Sequence, residues 1–440
     1  MPPTLHPSAL ALSLVLVLPM GAQSASSDRS ASISPAASNS SGKDASATLG
    51  AAPGVKVTQL TMPPNGHELS YYDIAAYSPA TGLAYVNRRR IRAPGIKPVW
   101  DVLAVDLATA EQSLLVSRRP PDSATARFDM SADGRLISYL RMNDPPERGF
   151  DLYGYRLDRP GEFRITRADY AVQGATLKTS PAAWDAQTTQ YLLAYTIGPQ
   201  LYVVRDDGKS AAGNGPQAVP LDDPDRGLSF HRLRLDPVYP HIVFYRRETK
   251  TAGAREPGAP PRLAMYLADL RATPPRGVPF APADGASHPG WTPDGQKIAV
   301  AGAWTEYTVV DGRGRLTDSL AERAMPGKRI GPFAPGIRER SEAFYGTYSP
   351  DGRWIAIATR ASKKAPGELF LMDASEGTVR RLCRTDYFGR HTAGAPRIAF
   401  VGNTGKILLS TDASWGRKRA ELPQLYLVDP GSGATNSRGG

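Results

Sequence analysis

"HPGWTPDGQKIAVAG", residues 288–302, sets a polar lead-in, a Pro-Asp-Gly turn and an alternating apolar strand side by side. The same unit returns as "YGTYSPDGRWIAIAT" at 345–359. Working outward finds it in looser form at five more places. These are "YSPATGLAYVN" from Tyr77, "MSADGRLISYL" from Met130, "WDAQTTQYLLAY" from Trp184, "RLDPVYPHIVFY" from Arg234 and "FVGNTGKILLST" from Phe400. The spacing is about 50 to 57 residues throughout, near the upper end for propeller blades. An Asp-Gly pair is expected to supply the positive φ angles of a tight hairpin turn. The strand after it alternates or stays apolar, as a sheet packed on both faces requires.

Each copy leads into a second apolar strand, such as "WDVLAVDLATA" (100–110) or "QLYLVDPGSG" (424–433). Most then add a short outer strand, as in "QSLLVS", "EFRITR" and "TVRRLC". The seventh copy lacks this last strand, while "GVKVTQLTM" (54–62) stands as an orphan strand before the first. The pattern predicts an all-β, seven-bladed β-propeller over 54–434, with 55–60 pairing into the last blade and latching the ring. Its 40 Pro and 42 Gly, spread between short apolar runs, suit many strands and turns.

The 440-residue chain carries 53 Lys and Arg against 42 Asp and Glu, a formal charge of +11. A positive field suits anionic partners such as acidic sugars, nucleic acid or lipid headgroups, and serves solubility equally well. Cys383 is the single cysteine, so no intrachain disulfide forms. "ALALSLVLVL" (9–18) followed by Pro19 and "GAQSA" reads as a signal peptide over 1–24, although its start lacks Lys and Arg. The apolar run falls short of the roughly 18 residues a membrane span needs. Residues 25–53 are Ser/Ala-rich and read as a disordered tether, and 435–440 as a disordered tail. A periplasmic or secreted location follows, with no stable membrane insertion after cleavage.

The turn-and-strand unit resembles the Ser-Pro-Asp-Gly repeat of TolB-like propellers across roughly 55–430, a resemblance that implies fold and not activity. No Gly-x-Ser-x-Gly elbow is present, so a prolyl-oligopeptidase-like hydrolase domain is absent. A narrower stretch, "FHRLRLDPVYPHIVFYRRE" (230–248) with "SHPGWTPDG" (287–295), resembles the central blades of the oligogalacturonate lyase family. That resemblance implies β-elimination of uronate oligosaccharides with a bound divalent metal such as Mn²⁺. It implies a functional histidine at His231 and a metal-binding one at His288. The family's remaining ligands, a His-Pro-His group and a Gln upstream, are missing. Ala395 and Arg397 fall on the two histidine positions, Thr392 falls near the glutamine, and only His391 stands close. One histidine does not hold a manganese-type site, which needs several converging O and N ligands.

Innermost propeller strands converge on the central channel, so equivalent repeat positions form a ring. The residue three before the opening residue of each copy reads Ile74, Arg127, Pro181, His231, His288, Tyr345 and Arg397. One expectation is that these residues cap strand ends. The other is a funnel presenting Arg, His and Tyr to an anion. For uronate β-elimination, Arg127 and Arg397 would hold the carboxylate, His231 would act as base, and His288 or Tyr345 as acid. His241 is expected to be structural and His67 a loop residue. "VNRRRIRAPGIK" (86–97) and "ERAMPGKRIGP" (322–332) are expected as basic loops. They lack the aromatic interleaving of nucleic-acid binders, so nucleic acid is not an expected partner. Two function classes follow: a propeller directed at acidic carbohydrate, or a non-enzymatic TolB-like propeller binding a periplasmic protein or glycan.

Overall fold

The turns explain the hairpins. Ser131, Thr292 and Ser349 each donate a hydroxyl hydrogen bond to the Asp two residues on, at 2.6, 2.5 and 2.5 Å. The same carboxylates accept the amides of Arg135, Gln296 and Arg353. Gly134, Gly295 and Gly352 follow at φ of 68, 67 and 71°. The positive φ therefore belongs to the glycine alone, not to the Asp-Gly pair. Among the described non-glycine residues only Ala110 and Thr189 have positive φ. An Asp whose carboxylate collects local amides is held in the right-handed region, and one left-handed glycine then closes a type I turn.

These hairpins build the computed structural model, which describes residues 42–62, 66–70, 74–90, 99–118, 128–142, 150–166, 177–210, 213–221, 228–248, 263–272, 274–280, 287–301, 305–316, 328–329, 344–359, 367–385, 396–411 and 423–431. The signal-peptide segment 1–24, most of the tether and the tail 435–440 lie outside them. Seven antiparallel sheets of four or five strands follow in chain order. Their innermost strands are Gly66–Glu68 with Tyr77–Ser78, Phe128–Met130, Leu177–Thr179 with Ala183–Asp185, Leu228–Leu235, Ser287–Trp291, Phe344–Tyr348 and Arg397–Phe400. The blades are numbered 1 to 7 in this order. A separate two-stranded ribbon, Lys209–Ser210 with Gly213–Asn214, projects from blade 3.

The buried apolar side chains fall into seven clusters, one per interface between successive sheets. Ile355 and Phe370 meet Ala299 between blades 5 and 6. Val86 and Leu103 of blade 1 meet Ala399 and Leu408 of blade 7. Seven interfaces for seven sheets describe a closed ring, the seven-bladed propeller that the repeats predict.

The orphan strand Lys56–Gln59 pairs antiparallel with Gln424–Asp429 of blade 7. Residues 43–53, expected as part of the tether, belong to this edge of the fold. Lys43–Asp44 pairs with Thr58–Gln59, and Ala45 and Leu49 are buried. The Ala52 amide donates to the Leu382 carbonyl and the Arg384 amide to Leu49, so this segment straps blade 7 to the outer strand of blade 6. Small Ala side chains fit under a sheet edge where backbone groups need partners.

The basic segments also differ from the expected loops. Val86 to Arg90 continue the strand Leu83–Arg90, and Arg88 pairs with the buried carboxylate of Asp101 at 2.7 Å. Lys328–Arg329 is the outer strand of blade 5. His67, expected in a loop, lies in the strand Gly66–Glu68 and is buried.

Turn glycines also set how blades meet. A Cβ on Gly295 would lie 2.3 Å from Asp236 Oδ1 of blade 4, whereas one on Gly352 would meet nothing within 4 Å. Both glycines have the same left-handed φ. Gly295→Ala is expected to cost about 2–4 kcal/mol and Gly352→Ala about 1–2 kcal/mol in urea unfolding. Equal losses would show that the blade contact contributes nothing. Burial pushes the Cys383 thiol up to about 12. Thiol reagents at about pH 8 should therefore not modify the folded protein, because the thiolate is the reactive form. Labelling should begin only on unfolding.

Candidate functional site in the central channel

The ring positions differ in how the backbone treats them. In blade 4, Phe230 pairs with Arg246 and Arg232 with Tyr245, leaving His231 as the extra residue of a β-bulge. In blade 5, Ser287 pairs with Ala301 and Pro289 with Val300, leaving His288 in the same situation. Ile74 and Pro181 also fall where their innermost strands are interrupted, between Gly66–Glu68 and Tyr77–Ser78 and between Leu177–Thr179 and Ala183–Asp185. Tyr345 and Arg397 instead stay in the ladder, opposite Ala358 and Ser410. Arg127 and His391 lie outside the described residues. A residue that leaves the ladder can be turned out of the sheet, which is why bulges gather at sheet rims and sites.

A cavity of about 560 Å³ occupies the channel and draws on all seven blades. Ile74 and Pro181, the two interrupted ring positions with described side chains, both line it. So do Arg232, Gly290 and Gly346, close neighbours in sequence of His231, His288 and Tyr345. Most of the wall comes from positions the sequence reading passed over. The residues that open the repeats supply Tyr77, Trp291, Tyr348 and Phe400. The turns supply Pro79, Pro237, Pro293 and Pro350. The signal was present in the sequence, since five of the seven units open on an aromatic residue and four carry a turn proline. Trp184, the corresponding aromatic of blade 3, packs edge-on against Tyr191 and is partly exposed.

Arg232 and Arg234 bring positive charge to the wall, and both are buried. They stand two apart on one strand, so their side chains share a face. Arg234 Nη1 donates to the Leu233 carbonyl at 2.6 Å, and Trp291 Nε1 donates to the Arg234 carbonyl at 3.0 Å. The Asp133 carboxylate of blade 2 accepts from Ser131 and, at 2.5 Å, from the Tyr191 hydroxyl. That hydrogen bond and burial hold Tyr191 well above the usual phenol range, with burial the larger cause. The Tyr348 hydroxyl donates to Glu306 of blade 5, whose carboxylate also lies 3.0 Å from Lys297 Nζ.

Arg397 was expected to hold a substrate carboxylate. Its guanidinium lies 2.5 Å from Glu68 and donates to the Leu69 carbonyl at 2.6 Å, tying blade 7 to blade 1. A strand-end residue that remains in the ladder reaches the neighbouring blade, and the cavity's arginines are Arg232 and Arg234. His241 is structural, as expected. It is fully buried, 3.5 Å from Asp236 and 3.8 Å from Asp269, and its ring lies tilted against Trp291 with centroids 6.3 Å apart. Burial raises the Asp236 carboxyl above the usual range against the pull of His241 and the amides of Val238 and Tyr239.

Among the described residues no three His, Cys, Asp or Glu side chains come together as metal ligands. Two arginines in the wall also oppose a cation. The described residues therefore supply no ligand set for the divalent metal, while His391 and the side chains of His231, His288 and Tyr345 lie outside them.

No family model matches the sequence, and neither does any curated protein. Among solved structures, an oligogalacturonate lyase in complex with manganese is 16% identical, covering 88% of this chain and 95% of that one at a TM-score of 0.56. The oligogalacturonate lyase of Vibrio parahaemolyticus is 14% identical, covering 85% and 93% at 0.52. TolB from Acinetobacter baumannii is 16% identical, covering 79% and 80% at 0.35, too low a score to argue from. At these identities the likeness is one of fold.

Proposed function

We propose that this is an exported propeller directed at acidic carbohydrate, which cleaves uronate linkages by β-elimination in its channel. One backbone observation carries the reading: His231 and His288 are the ladder-free residues of adjacent innermost strands. The interrupted positions Ile74 and Pro181, equivalent to them in the repeat, line the channel. Histidine is suited to proton transfer near neutral pH. His231 would take the C5 proton, its electrons would form the C4–C5 double bond, and the C4–O bond would break. His288 or Tyr345 would protonate the departing oxygen. Arg232 and Arg234, with Arg127, would neutralise the carboxylate that makes the C5 proton acidic. The oligogalacturonate lyases that share the fold support this choice of substrate. Incubation with galacturonate oligosaccharides should yield ultraviolet-absorbing unsaturated products. Absence of product would overturn the cleavage, and absence of binding as well would overturn the carbohydrate reading.

A second reading is a non-enzymatic propeller that binds a periplasmic protein or glycan. Arg397 favours it, since this ring cation is neutralised by Glu68. Calorimetric binding of the same oligosaccharides without turnover would select it. Both readings take the N-terminal apolar run as an export signal, and neither involves nucleic acid. No helix among the described residues is long and apolar enough to cross a membrane.

A further inference from the structure

We propose that the channel's turn end, formed where the first hairpin of each blade folds back, takes an uncharged sugar residue. The preferred substrate is then an oligogalacturonate with a methyl ester on the residue next to the reacting one. This rests on the elimination reading and names the form of substrate it favours.

The channel has two levels. His231, His288 and Tyr345 stand three residues before Arg234, Trp291 and Tyr348 on the same innermost strands. At about 3.3 Å per strand residue the levels lie about 10 Å apart, less what a bulge takes up. A substrate lying along the channel with its reacting residue at the histidine level sets a neighbouring residue at the second level. There Tyr77, Trp291, Tyr348 and Phe400 offer aromatic carbon, and the turn prolines continue it. A pyranose ring can lay its C–H face on such carbon. The hydroxyls at the ring's edge need polar partners, and Thr347, Asn403 and Thr404 are the neutral polar side chains among the described lining.

Charge decides what the neighbouring residue carries. The described lining holds two guanidiniums, Arg232 and Arg234, and one carboxylate, Asp133, a surplus of one positive charge. Both arginines also interact elsewhere in the protein, so a ligand meets at most that one charge. The carboxylate of the reacting residue balances it. Arg127, assigned to the same carboxylate, belongs to the histidine level of the ring. A second carboxylate would share the turn end with Asp133 and find no counter-charge left in the described wall, and taking it out of water is costly. A methyl ester removes that charge. Its methyl group gains by leaving water against the aromatic and proline surface.

The test is calorimetric titration of the full chain with trigalacturonate and with three trimers carrying one methyl ester, on the first, second or third residue. One of the three is expected to bind about tenfold more tightly than trigalacturonate and to yield unsaturated product at a correspondingly lower KM. Asp133→Asn should narrow that preference to about fourfold, the share of the methyl group, by tightening trigalacturonate. The amide oxygen can still accept the hydrogen bonds of Ser131 and Tyr191. The wild-type comparison decides by itself if this variant fails to fold. Trigalacturonate binding as tightly as all three esters, or more tightly, would overturn the proposal and leave the elimination reading in place. A tenfold preference unchanged in folded Asp133→Asn would overturn it too, by taking the ester away from the turn end. No binding of any of the four trimers, and no product, would overturn the elimination reading and this proposal with it.

Discussion

His231→Ala and His288→Ala are each expected to lower formation of unsaturated product from galacturonate oligosaccharides by about 10²–10⁴-fold, the usual contribution of a positioned acid or base. Folding should be barely affected, because each residue is the unpaired member of a bulge. That combination separates chemistry from architecture. If activity and the unfolding midpoint fell together, the histidines would be holding the bulges in shape. If activity persisted in both variants, neither would be the base or the acid. Tyr345 belongs in the same series. It stays in a regular ladder opposite Ala358, so Tyr345→Phe tests the acid role while leaving the backbone pairing untouched.

Val57→Asp should produce the largest loss of stability. Val57 is fully buried in the cluster between blades 6 and 7, against Ile398, Ile407 and Val428. Its backbone also pairs with Val428, so the side chain sits where the N-terminal strand completes the last sheet. A carboxylate there has no partner and loses the apolar contact, a cost of about 3–5 kcal/mol. Lys56→Asp, one residue earlier on the exposed face, should change stability by no more than about 0.5 kcal/mol. Urea unfolding of the pair checks this. Similar small effects at both positions would mean that the ring holds without its N-terminal strand.

Much of the fold was legible because its determinants are local. Ser-x-Asp-Gly or Thr-x-Asp-Gly makes the same two carboxylate hydrogen bonds at 131–135, 292–296 and 349–353, and alternating strands follow it without help from distant residues. The missing strand of the seventh copy and the orphan strand at 56–59 could be matched by counting alone. The strap formed by 43–52 was not legible. Ala45 and Leu49 look like tether composition, and they are buried because blade 6 and blade 7 present open edges to them. Arg88 and Lys328–Arg329 looked like solvated charge. Both lie in strands instead, Arg88 paired with Asp101, and Lys328–Arg329 joined through its backbone to Thr305–Glu306.

The site divides in the same way. Sequence alone determined the seven sheets, their order, the closing strand and the ring position that His231 and His288 share, since all of these follow from repeat spacing and turn chemistry. Only the tertiary structure decided that those positions leave the ladder, that Arg397 is answered by Glu68, and that the channel wall is built from repeat aromatics, turn prolines and Arg232 with Arg234. Which side chains face a common space depends on how neighbouring sheets are set against one another, and no single repeat contains that information.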